Sequence, residues 1–155
     1  MEILRYYPEL GGHVDNIGDN LVELGVFEIL SHLRPDRVAA GTRVLIGTPW
    51  FWDRCESSAK YQWLEDELRR HPHARHVAMG IGTCLPLDGE VQLLLKPATV
   101  RACQRLWRQF DAIAVRDPLA FEFLQEIGVE CDLLPCPSVF VTPLAPVAPR
   151  PGSRL

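Results

Sequence analysis

Lysine is almost missing from this sequence: Lys60 and Lys96 are its two, and arginine supplies the other basic side chains. The net charge is −4, which leaves no cationic surplus for gripping nucleic acid or an anionic membrane. No apolar run approaches the roughly 20 residues that a bilayer crossing needs. The opening Met1-Glu2-Ile3-Leu4-Arg5 lacks the basic-then-apolar plan of a secretory leader. These absences predict a cytoplasmic protein with no membrane span and no nucleic-acid partner. The five cysteines, Cys55, Cys84, Cys103, Cys131 and Cys136, are odd in number and contain no C-x-x-C pair. Reduced thiols packed as small apolar groups are therefore expected, rather than a disulfide frame or a zinc site. No G-x-G-x-x-G or phosphate-loop sequence occurs, and neither cofactor nor metal is expected.

What is present is an ordinary globular composition, 47% apolar and 23% charged over 155 residues, enough for one domain with a sizeable core. Short apolar runs alternate with stretches of helical spacing. Leu4 to Tyr7, residues 43–47, 76–80, 112–115 and 130–134 read as strands. Helices are expected from Asp19 or Asn20 to Leu33, from Ser57 or Ser58 to Arg70, from Pro97 towards Phe110, and from Pro118 to Ile127. Gly128 closes the last one. Residues 48–53 and 81–86 read as loops. Such alternation predicts an α/β fold, a three-layer Rossmann-like sandwich with a mostly parallel sheet and right-handed crossovers. The domain is expected to span residues 1–141. Residues 142–155, with Pro143, Pro146, Pro149 and Pro151, read as a proline-rich tail or linker.

A parallel sheet gathers the loops that follow its strands along one edge, where ligands bind. Here those loops hold the glycines, hydroxyls and least explained polar groups. In the first, Asn16, Gly18 and Asp19 can present helix-start amides to an anion, although Asp19 and Asn20 are equally helix caps. His13, beside Asp15, is the histidine best placed for acid–base work. The second loop offers Thr48 and the aromatic run Trp50-Phe51-Trp52, a stacking wall for a sugar or a piece of core. The third offers Gly80, Gly82 and Thr83, where glycine lets a ligand approach the backbone. The fourth is Arg116-Asp117. Arg116 either grips an anion or pairs with a carboxylate of the fold, and Asp117 either binds ligand or caps the helix at Pro118. His13 and Arg116 are the candidate catalytic residues, and the others named are candidate binding residues.

These segments, taken in order, resemble the polysaccharide pyruvyl transferase family. The resemblance rests on Asn16-Ile17-Gly18-Asp19-Asn20, Val44-Leu45-Ile46-Gly47-Thr48, Met79-Gly80-Ile81-Gly82 and Asp111-Ala112-Ile113-Ala114-Val115-Arg116-Asp117, with a weaker match at Cys136-Pro137-Ser138-Val139-Phe140. It implies one half of a glycosyltransferase-B-like enzyme that moves a pyruvyl group from phosphoenolpyruvate to a sugar-like hydroxylated acceptor. Arg116 stands at the family's Arg-Asp/Glu position. The sequence departs from the pattern at Gly47-Thr48-Pro49, where a glycine pair is expected, and at Cys136, where an acid is expected. Such enzymes close their cleft with a second domain. A homodimer or a separate C-terminal-half subunit would serve here, with phosphoenolpyruvate or a sugar phosphate as ligand. A non-catalytic accessory module and a nucleotide-sugar glycosyltransferase half-domain are the alternatives.

Overall fold

Strands form where the apolar runs are shortest, and helices where apolar residues recur every third or fourth position. A computed structural model describes residues 1–4, 17–32, 39–47, 49–84 and 90–141, with the backbone alone for residues 17–20. In chain order these hold β1 (Glu2–Leu4), α1 (Ile17–Ser31), β2 (Arg43–Ile46), β3 (Pro49–Phe51), α2 (Ala59–Arg70), β4 (His76–Thr83), α3 (Pro97–Trp107), β5 (Ala112–Val115), α4 (Pro118–Glu126) and β6 (Asp132–Leu133). The expected proline-rich tail lies outside the described residues.

Every strand pairing is parallel, in the order β1-β2-β4-β5-β6, with β3 beside the far end of β4. β2 pairs with His76 to Met79, and β3 with Gly82 and Thr83. The two are successive halves of one interrupted strand. The interruption falls at Gly47, whose φ of 36° suits glycine and whose N–H donates to Met79 O at 3.0 Å. Residues 48–53 were expected to be loop, so β3 is a correction. So is the longer β4, which takes in Ile81, Gly82 and Thr83.

Side chains alternate across β2. Val44 and Ile46 meet Val26 of α1 on one face, while Leu45 faces α2, α3 and α4 on the other. This is the three-layer, Rossmann-like α/β sandwich that the alternation predicted. The strand order advances in one direction while α1 lies opposite the later helices. α1 begins at Ile17, so Asp19 and Asn20 fall within its first turn and not at a cap position. Gly25 of α1 has no room for a side chain, since a Cβ would overlap the Pro137 carbonyl of the short 3₁₀ turn Pro137–Phe140. That close approach fixes the turn against the helix.

The larger core is aromatic. Trp50, Phe51, Tyr61, Trp107 and Phe123 are essentially fully buried and meet at tilted or edge-on angles, their neighbouring centroids 5.2–6.5 Å apart. Their polar atoms are satisfied internally. Trp50 Nε1 donates to Gly47 O (3.2 Å), Tyr61 Oη to Trp50 O (2.8 Å) and Trp107 Nε1 to Tyr61 Oη (3.3 Å). Cys55, Cys103 and Cys131 are buried and free, as expected of packed thiols, whereas Cys84 is exposed. The hydrogen bond with Cys55, together with burial, pushes the Cys103 thiol up, and burial does the same to Tyr61.

At the amino edge of the sheet, Arg43 is almost fully buried, its side chain 6% exposed. It donates to Glu2 from Nε and Nη2 at 2.8 and 2.9 Å and reaches Glu67 at 3.1 Å. Glu67 also pairs with Arg70. His76, the cross-strand neighbour of Arg43, is buried.

Candidate functional site

β5 delivers Arg116 and Asp117 at the carboxyl edge, next to the end of β4. Arg116 N–H donates to Ile81 O at 2.9 Å, which continues the sheet to its rim. Asp117 is wholly engaged. Thr83 donates to it from its N–H (2.8 Å, to Oδ2) and from its hydroxyl (3.0 Å, to Oδ1), and Ala120 N–H donates to Oδ1 at 2.9 Å. The residue is thus the N-cap of α4 and a clamp on the end of β4. Of the two readings open in the sequence, the helix cap holds for Asp117.

Arg116 is half-buried, and among the described residues its guanidinium has neither a hydrogen bond nor an ion pair. The alternative of a structural carboxylate partner therefore finds no acid among those residues. What Arg116 does have is a floor. A Cβ at Gly82 would overlap the Asp117 carboxylate and stand 3.0 Å from Arg116 Nε and 3.1 Å from its Cγ. The missing side chain is what lets Arg116 lie across β4. Gly82, Thr83, Arg116 and Asp117 thus form one constellation: a glycine floor, a clamp and an uncommitted cation.

The other expected site residues are placed differently. Gly80 sits at φ 68°, and a Cβ there would come within 2.7 Å of Pro137 Cγ and 3.2 Å of Val22 Cγ1. The space that a side chain would take there is filled by Pro137 and Val22. Gly80 also makes the bulge that shifts the β4–β5 register between Met79 and Ile81. Trp50 is fully buried among Tyr61, Trp107 and the Lys60 ammonium, 4.2 Å from its ring centroid. The expected stacking wall is core at this position, because the parallel strand β3 is covered on its inner face. His13, Asn16 and Thr48 lie outside the described residues. Gly18 and Asp19 belong to the first turn of α1, where the backbone alone is described.

Sequence reasoning passed over Arg54. It stands at the same edge, just beyond β3, with a left-handed backbone at φ 59° and ψ 33°. Nothing in the residue type announces that conformation. The apolar cavity of about 270 Å³ under Ile29, Met79, Ala114 and Phe140 lies on the α1 face of the sheet and has almost no polar lining. It does not suit an anion.

The fold is a Rossmann-like α/β sandwich with Arg116 at the carboxyl edge of its parallel sheet, where ligands bind in folds of this class. The sequence model of the polysaccharide pyruvyl transferase family matches residues 16–154, and the chain belongs to that family. No curated protein and no solved structure matched the chain. Among the described residues, no helix is long and apolar enough to cross a membrane.

Proposed function

We propose that this chain provides the Rossmann-like wall of a pyruvyl transferase, with phosphoenolpyruvate as donor and a sugar-like diol as acceptor. The observation that carries the reading is Arg116, half-buried over Gly82 with no carboxylate partner among the described residues. A guanidinium in that position can take a phosphate or carboxylate through two parallel hydrogen bonds. In the reaction, a proton adds to the methylene carbon of the enol. One acceptor hydroxyl attacks the adjacent carbon, phosphate leaves, and the second hydroxyl closes the ketal. The two hydroxyl protons balance the new methyl hydrogen and the proton on the released phosphate. Arg116 would hold the donor and offset charge on the leaving phosphate. His13 is the proposed proton donor, on sequence grounds alone.

The described edge is one wall, and a second domain or subunit would supply the other. The test is phosphate release from phosphoenolpyruvate by the purified chain, with and without candidate sugar acceptors. Acceptor-dependent release that disappears in Arg116→Ala and His13→Ala supports the reading. A second reading, a binding module without catalysis, is favoured by the engagement of Asp117, whose oxygens are taken up by Thr83 and Ala120. It predicts donor binding without phosphate release.

A further inference from the structure

Three contacts fasten the turn after β3 to one face of α3. Lys96 Nζ donates to Asp53 Oδ1 at 2.5 Å, and Thr99 Oγ1 donates to Glu56 Oε2 at 2.8 Å. The third joins the thiols of Cys55 and Cys103, which are hydrogen-bonded to each other. Lys96, Thr99 and Cys103 follow the three- and four-residue spacing of a single helix face, so the contacts run from solvent into the core. The outer pair is open to water, with the Lys96 and Asp53 side chains 45% and 50% exposed, whereas Cys55 and Cys103 are sealed. Tyr61 Oη stands 3.4 Å from Cys103 Sγ and hydrogen-bonds Cys55 as well.

The two sulfurs are not equivalent. The Cys103 hydrogen bond, helped by that of Tyr61, holds the Cys55 thiol below its usual range in spite of its burial, while Cys103 is pushed up. The thiolate is the nucleophile in thiol oxidation, so Cys55 reacts first and Cys103 resolves. Cys55 also sits on the segment that can move. Arg54, immediately before it, has a left-handed backbone at φ 59°, which costs energy in a residue with a side chain. The exposed Lys96–Asp53 pair holds the turn only weakly. Local opening of the turn would bring Cys55 to solvent while Cys103 stays on its helix.

We infer that Cys55 and Cys103 form a reversible disulfide when the chain meets a peroxide, adding a covalent rung between the turn after β3 and α3. The inference is independent of the reading of Arg116. Cys55 sulfur attacks one peroxide oxygen, the oxygen–oxygen bond breaks, and the leaving hydroxide takes the thiol proton as water. The Cys103 sulfur then attacks the resulting sulfenic sulfur. The sulfur–oxygen bond breaks, and the hydroxyl leaves with the Cys103 proton as a second water. Two thiols are oxidised by two electrons, and one peroxide is reduced.

The test is treatment of the full chain with hydrogen peroxide, alkylation of the remaining thiols and peptide mapping by mass spectrometry without reduction. A Cys55–Cys103 linked pair is expected, lighter by two hydrogens than the separate peptides and released by dithiothreitol. The linked chain should melt about 5–15 °C higher, because the cross-link constrains the unfolded state. Exposed Cys84 reports ordinary surface oxidation. In Cys103→Ala, Cys55 is expected to stop at the sulfenic acid and be captured by a diketone trap; if that variant does not fold, the wild-type map decides alone. Oxidation confined to Cys84 and Cys136, a link from either of them in place of Cys55–Cys103, or a linked chain that melts lower overturns the inference.

Discussion

At Gly82 a single hydrogen atom separates a working floor from a blocked one. Gly82→Ala puts a methyl group against the Asp117 carboxylate and the Arg116 side chain. Because the Asp117 clamp is rigid, the chain must shift there, and a stability loss on the order of 1–3 kcal/mol is expected by denaturant unfolding. Ligand binding should weaken with it. In the core, Tyr61→Phe removes the hydroxyl that bonds Trp50 O and Trp107 Nε1. It should cost on the order of 1–3 kcal/mol through the buried groups left unpaired. The residue types themselves announce part of this. Arg116 and Asp117 stand out in the sequence because a buried strand has little use for a charged pair except at its exposed end. Trp50 does not, because its burial depends on β3, and nothing in Pro49-Trp50-Phe51 separates a strand from an aromatic loop.

Between elements, the clamp and the amino edge decide how the strands are held. Asp117→Ala removes the cap of α4 and both contacts from Thr83 at once. A loss of about 1–2 kcal/mol is expected for the cap alone. Asp117→Asn keeps Oδ1 as acceptor for Ala120 N–H and the Thr83 hydroxyl but sets an NH2 group against the Thr83 N–H, so a stability loss smaller than that of Asp117→Ala is expected. At the other edge, burial and then the charge of Arg43 lower the His76 pKa. As pH falls through about 6.5, the unfolded chain takes up a proton that folded His76 refuses, so stability drops. A melt series from about pH 7.5 to 5.5 should show this fall, and His76→Gln should flatten it. The element pattern itself was largely readable, since helix starts at Ser58, Pro97 and Pro118 carry their own signals. The extension of β4 past Gly80 was not. A glycine at a bulge and a glycine ending a strand look alike in sequence, and here packing against Pro137 decides between them.

At the scale of the whole molecule, the order of four degenerate segments identified the family before any of them identified a function, and the match over residues 16–154 agrees. The candidate edge was legible only as a direction, the carboxyl end of a parallel sheet. Which side chains remain uncommitted there depends on contacts between Thr83, Asp117 and Ala120, brought together from β4 and α4. If a second subunit completes the cleft, light scattering of the purified chain should report a dimer, or a monomer that dimerises when donor and acceptor are added. The proposed chemistry turns on Arg116 as an anion site. Calorimetric titration of phosphoenolpyruvate into the wild type and Arg116→Ala tests this most directly. Affinity about ten- to a hundredfold weaker is predicted in the variant, with an unchanged melting temperature; equal affinity in the two proteins would contradict the assignment.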